Sequence, residues 1–271
     1  MKTLKLQVFS PWFLAAIAVA ILVAKVQTIR SHLGNPAIVT GWSLFSLMIF
    51  LALFNIRKRL AMLPLGSAAL WLRLHVVGGI LVILFFWMHT GVLWPTGLYE
   101  QTLTALFYLL SLSGLIGYTL QRIYPSRLTH TNLEIIYERI PNELAEIRER
   151  AEGLLLNCTK ETGNDTLAKH YLQTLDWFFR RPRFFSSHVL GGQRGNHWIR
   201  HQCATVRRYL NNVECAYLDK LAVLAETKNK IDIHYAVQSI LKGWLLVHVP
   251  LTIAVVALAV WHILLVHVYA L

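Results

Sequence analysis

Charge is what this sequence has least of. Only 15% of its 271 residues are charged and 55% are hydrophobic, whereas a soluble chain carries about 25% charged residues. Of the 14 carboxylates, all except Glu100 lie between Glu134 and Asp232. The rest of the chain is nearly free of acid, as a chain in lipid must be. Cysteine is scarce too: Cys158, Cys203 and Cys215, with no C-x-x-C pair. That excludes covalent c-type haem attachment and leaves too few thiols for a four-thiolate iron–sulfur cluster. Neither G-x-G-x-x-G nor G-x-x-x-x-G-K-[ST] occurs, so the usual dinucleotide and phosphate cradles are missing.

A net charge of +12 raises the question of nucleic acid, and the distribution answers against it. Residues 121–243 hold 18 Lys/Arg against 13 Asp/Glu, a net of only +5. Most of the other basic residues flank apolar runs, the pattern of a membrane protein. Five segments are apolar enough for spanning helices, which need about 20 residues: Val8–Val26, Ala37–Phe54, Leu74–Trp94, Leu103–Leu120 and Trp244–Leu271. The first follows Lys2 and Lys5, and Ala18-Val19-Ala20 resembles a signal-cleavage site. The apolar run continues to Ala24, so an uncleaved anchor is expected.

The expected fold is therefore all-α: an integral membrane bundle of five transmembrane helices. Residues 1–120 carry helices one to four, 121–243 a helical cytosolic insertion, and 244–271 helix five. Arg57, Lys58, Arg59 and Arg73 lie between helices two and three, and Pro95 to Thr102 carries no basic residue. Basic residues favour the cytosolic side, which places the N-terminus in the cytosol and the C-terminus in the periplasm of a bacterial inner membrane. Lys25 and Arg30 depart mildly from that rule. In the insertion, Pro141 opens a helix along Leu144, Ile147, Ala151 and Leu154. Residues 165–180 and 199–229 read as two more helices, with a loop at 191–195.

Helix three contains His75 and His89, and helix five His248 and His262, each pair 14 residues apart. At about 100° and 1.5 Å per residue, each pair shares a face and is separated by roughly 21 Å along the axis. Two such helices facing each other present one imidazole to each side of two stacked porphyrins. Such six-coordinate iron carries electrons and is not set up to bind oxygen. Two b-type haems are the expected cofactors, with these four histidines as axial ligands. If both helices run outward, His75 pairs with His248 and His89 with His262; a reversed helix five pairs His75 with His262 and His89 with His248. Gly78 and Gly79 follow His75 on its face and permit close approach. Arg73, Lys242 or Arg57 is placed either to pair with a propionate or to anchor at the interface. Each histidine taken singly is equally readable as an interhelical hydrogen-bonding group.

The four histidines resemble those of the ferric reductase and NADPH oxidase transmembrane domain. More distantly they resemble the b-type cytochromes of quinol–cytochrome c oxidoreductases. The resemblance covers about 60 residues in two helices. It implies transmembrane electron transfer. The oxidase family's FAD- and NADPH-binding domains and its sixth helix have no counterpart here, so the chain is not expected to oxidise NAD(P)H itself. The expected role is a cytochrome b subunit linking a cytosolic flavin or iron–sulfur subunit with a periplasmic cytochrome or quinone. A subunit lining a quinone pocket, with His32 or Glu100 as polar groups, and a haem-free anchor or transporter are the alternatives.

Other features weigh less. His197 and His201 stand at metal-ligand spacing, with His170, His188, Cys203 or Cys215 as further ligands, but solvated histidines explain them as well. His267 is about 140° around helix five from His262 and off its face. Trp71 and Trp94 suit an interfacial belt, Trp87 an aromatic relay, and Pro250 a kink that aims His248. Arg180, Arg181 and Arg183 among Phe178, Phe179, Phe184 and Phe185 mark either a contact surface or a loop over a buried aromatic core.

Overall fold

The computed structural model describes residues 2–54, 67–129 and 131–269, and only the backbone of residues 2–10. Arg57, Lys58, Arg59 and Leu271 lie outside the described residues. Those described form helices and no strand. The chain divides into two compact units, residues 1–118 with 246–271, and residues 119–245.

The first unit begins with α1 (Lys2–Ser31), α2 (Ala37–Ala52) and α3 (Ala68–Thr90). Among the described residues, four helices have the length and apolar composition to cross a membrane: Pro11–Ser31 within α1, α3, α4 (Leu98–Thr129) and α10 (Asn212–Tyr269). α2 is apolar but has only 16 residues, about 24 Å of rise against a hydrocarbon core of roughly 30 Å. α3 ends four residues before the expected Trp94. Gly91 there adopts the left-handed conformation (φ 67°) and its N–H bonds to the Trp87 carbonyl, a stop that glycine makes without steric cost. At its other end Ser67 accepts from the Leu70 N–H as N-cap. α4 starts earlier and ends later than expected, running through Pro125.

The core of this unit lies among α1, α2, α3 and α4: Leu22, Val26, Leu44, Val82, Phe85, Phe86 and Phe107. Phe86 stacks on Phe107 at 4.2 Å. Hydroxyls inside the apolar helices mostly bond to the carbonyl one turn back, as Ser43 does to Val39, Ser111 to Phe107 and Thr252 to His248, which satisfies them without leaving the helix.

The second unit contains α5 (Ile140–Thr162), α6 (Thr166–His170), a π-helical turn (Tyr171–Leu175), α7 (Asp176–Arg180), α8 (Phe185–Leu190) and α9 (Arg194–Arg207), with the N-terminal part of α10. Pro141 stands in the first turn of α5, where its missing N–H costs nothing. The buried stripe runs Ile140, Leu144, Ile147, Ala151, Leu155 and Cys158, with Leu154 of the expected helical spacing at its half-buried edge. The expected helix over 199–229 is two helices. α9 stops at Arg207, and α10 begins at Asn212 with a reciprocal cap: the Glu214 N–H donates to Asn211 Oδ1 and the Asn211 N–H to Glu214 Oε2. That capping box is written in the sequence as N-x-x-E. From there α10 continues without a break to Tyr269, through Pro250.

An ion pair sits in the core of this unit. Lys228 and Asp232 have fully buried side chains and meet at 2.6 Å. Lys228 Nζ also donates to the Arg181 carbonyl at 2.7 Å and lies 4.0 Å over the Phe178 ring. The Arg183 N–H donates to Asp232 Oδ2 at 3.1 Å. Burial pulls the Lys228 ammonium down to about 8 and pushes the Asp232 carboxyl up to about 6, each opposed by its partner's charge. Phe178 and Phe179 are buried beside it, and Arg183 stacks 4.1 Å over Trp177, so the aromatic–arginine stretch builds core.

Two outcomes are expected. Removing one partner of a buried pair leaves a bare charge, so Asp232→Ala should cost about 3–5 kcal/mol, whereas the double change Lys228→Met/Asp232→Leu should cost far less; denaturant titration of the chain in detergent compares them. His188 is buried, with neither ring nitrogen in a well-formed hydrogen bond among the described residues, and burial, aided by the Lys228 charge and opposed by the Arg183 backbone, lowers it from 6.5 to about 4. The unfolded chain therefore binds the proton first. Stability from this group is complete above about 6.5 and falls as pH drops toward 4. Amide protection factors around residues 185–232, which correct for the intrinsic pH dependence of exchange, should fall over that window, and His188→Phe should remove the dependence.

Candidate functional site

All four histidines expected as ligands lie in the first unit. The spacing on each helix brackets a buried valine: His75, Val82 and His89 on α3, His248, Val255 and His262 on α10. Val82 and Val255 are 7% and 0% exposed. Each step of seven residues turns about 700°, only 20° short of two full turns, so the three side chains form one stripe on each helix.

The two stripes meet end to end in matching order. The His89 and His262 rings have centres 6.2 Å apart and planes at 85°. His75 and His248 lie within electrostatic range of each other. This is the pairing expected for parallel helices, and His267 belongs to neither pair. Its Nδ1 bonds to the Ile263 carbonyl of its own helix at 2.8 Å, and its ring meets the Trp42 edge at 5.8 Å.

Two histidines are held by the helices next to them. His89 Nδ1 lies 3.1 Å from the Ala37 carbonyl and 3.2 Å from Thr40 Oγ1, both on α2. Thr40 bonds to the Pro36 and Ala37 carbonyls at 3.1 Å, so its hydroxyl hydrogen is directed there and its oxygen accepts from the ring. Facing two acceptors, Nδ1 carries the hydrogen and Nε2 keeps its lone pair. The next residue, Gly41, makes room: a Cβ there would stand 2.9 Å from His89 Cε1. α4 repeats the device. Ser113 Oγ is 3.2 Å from His248 Nδ1, and a Cβ on the following Gly114 would touch His248 Cε1 at 3.9 Å. Thr40 and Ser113 are 1% and 7% exposed. A hydroxyl followed by glycine thus grips one histidine of each pair.

The other two are held differently. His262 stacks on Tyr99 at 6.2 Å, and the Tyr99 hydroxyl donates to the Leu258 carbonyl one turn before it at 2.6 Å. Glu100 lies within electrostatic range of His262. His75 packs against Phe54 at 4.8 Å. The Leu51 backbone lies near its ring, yet Nδ1 is buried without a hydrogen-bond partner among the described residues. Gly78 is packed against Leu51, where a Cβ would stand 2.8 Å from Cδ2, whereas Gly79 faces open space. Arg73 is half-buried two residues before His75.

These residues fit a bis-imidazole metal site. A shared metal sets two ring centres roughly 6 Å apart, since each metal–nitrogen bond is about 2 Å long and the ring centre lies about 1 Å beyond. The His89–His262 distance agrees, and the glycine cradles and Nδ1 partners are the second layer that metal-bound histidines need. Thr40, Gly41, Tyr99, Ser113 and Gly114 were not legible as site residues. The one signal was a hydroxyl–glycine pair on each of two apolar helices.

The remaining candidates do not assemble. His197 and His201 are exposed on α9, and among the described residues no group of three or more His, Cys, Asp or Glu is placed to hold a metal ion. Trp71 stacks on Phe50 at 6.0 Å, and Trp87 Nε1 donates to the Tyr108 hydroxyl at 3.2 Å. His32 is exposed.

Crowding at Gly41 and space at Gly79 predict opposite outcomes. Gly41→Ala must displace the His89 ring and should destabilise by about 1–3 kcal/mol. Gly79→Ala meets no protein atom and should gain up to about 1 kcal/mol from helix propensity. Thermal unfolding of the cofactor-free chain in detergent distinguishes them.

No family model, no curated protein and no solved structure matches this chain.

Proposed function

We propose that the chain carries electrons across a membrane through two b-type haems, one held by His75 and His248 and the other by His89 and His262. The observation that carries this reading is the paired histidine stripe on α3 and α10, with the His89 and His262 rings 6.2 Å apart and nearly perpendicular. When bound, haem supplies a one-electron ferric/ferrous couple, and two histidine ligands keep it from binding substrate.

The chain's own residues do the rest. Thr40, with the Ala37 carbonyl, holds His89 Nδ1 so that Nε2 presents its lone pair, and Ser113 aims His248 by the same contact at Nδ1. Tyr99 orients His262 by stacking. Arg73, two residues before His75, would serve a propionate or anchor the helix at the interface.

In this reading five helices cross a bacterial inner membrane, with the N-terminus in the cytosol, the C-terminus in the periplasm and residues 121–243 in the cytosol. That segment would receive a flavin or iron–sulfur subunit, and the His89/His262 end would face a periplasmic cytochrome or quinone. The chain is then an electron-carrying subunit of a larger oxidoreductase complex.

The reduced-minus-oxidised visible spectrum of the purified chain tests the reading. Two haems per chain with low-spin b-type bands are expected, falling to one in His89→Ala. A wild-type chain purified intact without haem would refute it and favour a membrane anchor or transporter.

A further inference from the structure

We propose that the exposed face of α9, with Trp177 at its edge, is a docking surface for an acidic face of a soluble protein. This deepens the electron-carrier reading, which asks the second unit to receive a partner, by giving that partner a place and a charge. Between Asp176 and Glu214 the chain has seven arginines, no lysine and no carboxylate. Arginine presents a planar fork of donors that a carboxylate accepts two at a time, and it sheds water more readily than an ammonium does. α9 buries Gly195, Ile199 and Val206. Its other side shows solvent Arg194, His197, Arg200 and His201, with Arg208 following at the C-cap. At 1.5 Å per residue this strip is about 21 Å long.

The strip has no counter-charge of its own. α9 contains no carboxylate at all, so no neighbour one turn away neutralises its arginines. Arg194, Arg200 and Arg208 make no ion pair among the described residues, whereas Arg139, Arg148 and Arg150 are each paired along α5, with Glu143, Glu152 and Glu146. Trp177 adds an apolar plate. It is 45% exposed and stands between the Arg183 guanidinium, stacked at 4.1 Å, and Trp198 of α9 at 5.6 Å. Tryptophan and arginine side by side are what the centres of protein interfaces are rich in, and a helix face that only meets water has no use for the tryptophan.

Anionic lipid headgroups are the wrong partner for this strip because of where it lies along α10. α9 runs against α10 between Asn229, whose Nδ2 donates to Asn196 Oδ1 at 2.8 Å, and Asp219, which pairs with Arg207. The apolar run of α10 opens at Trp244, 15 residues beyond Asn229 and 25 beyond Asp219. Those intervals are about 22 and 38 Å along the helix axis, against a screening length of about 8 Å in physiological salt. Complementary charge speeds an encounter more than it tightens the complex, which suits a partner that must exchange an electron and leave.

The test holds the full chain in phosphatidylcholine nanodiscs and titrates it with a fluorescein-labelled helical peptide rich in glutamate, or with its glutamine counterpart, reading anisotropy across a salt series. The glutamate peptide should bind, more weakly as salt rises, and the glutamine peptide should not. Arg194→Gln/Arg200→Gln/Arg208→Gln should weaken binding about tenfold or more, whereas Arg150→Gln/Lys160→Gln/Lys220→Gln, which removes as much exposed charge from α5 and α10, should change it less than about twofold. Hydrogen exchange should show α9 protected by the glutamate peptide and not by phosphatidylserine added to the discs. Equal losses in the two triple variants, protection of α9 by phosphatidylserine alone, or tighter binding of a single-stranded oligonucleotide of the same charge would overturn the proposal. Binding is read without reference to haem, so a chain that docks the peptide but holds no haem removes the electron-carrier reading alone.

Discussion

A neutral imidazole in an apolar helix bundle has two nitrogens with opposite needs, one offering a hydrogen and one a lone pair, and lipid satisfies neither. The first unit is organised around that constraint. α2 runs beside α3 because Gly41 lets the His89 ring approach its backbone and Thr40 and Ala37 take the ring hydrogen. α4 meets α10 through Ser113 and Gly114 in the same manner, and Tyr99 adds a second tie at Leu258. Hydroxyls that serve no histidine turn back onto their own helix.

The second unit solves a related problem with full charges. Lys228 and Asp232 are one turn apart on α10, buried together, with the Arg181 carbonyl, the Arg183 N–H and the Phe178 ring supplying the remaining partners. Such a pair contributes little net stability compared with well-packed apolar residues, but it tolerates few alternative arrangements. It fixes the connection from α7 to α8 against α10, and with it the loop that carries Arg183 and Phe184. The π-helical turn at Tyr171–Leu175 shifts the register between α6 and α7, and the core receives Tyr171, Leu175, Phe178 and Phe179 from it.

Apolar length and histidine spacing were legible in the sequence because both are periodic properties of a single helix. They gave α1, α3, α4 and the apolar end of α10 as helices, and they put His75 with His89 and His248 with His262 on common faces. The misses are local or tertiary. α3 stops at Gly91 through a left-handed cap, although the apolar run continues to Trp94. The break between α9 and α10 was hidden by helical composition on both sides, though Asn211 and Glu214 marked it. Gly78 reads as a place of close approach and is one, but toward Leu51 of α2. Thr40 and Ser113 were invisible because a hydroxyl in an apolar helix ordinarily bonds to its own backbone, and only the neighbouring helix shows otherwise.

The midpoint valines carry a further implication for how such a chain can change over time. Between His75 and His89, and between His248 and His262, the helix makes almost four whole turns, with Val82 and Val255 on the same stripe. A single inserted or deleted residue in either interval swings one histidine about 100° off the stripe. Point substitutions that preserve apolar bulk leave the stripe intact. The two 13-residue intervals are therefore closed to length variation while remaining open to drift in side-chain identity, so descendants of this chain should keep their histidine spacing long after the residues between have been replaced.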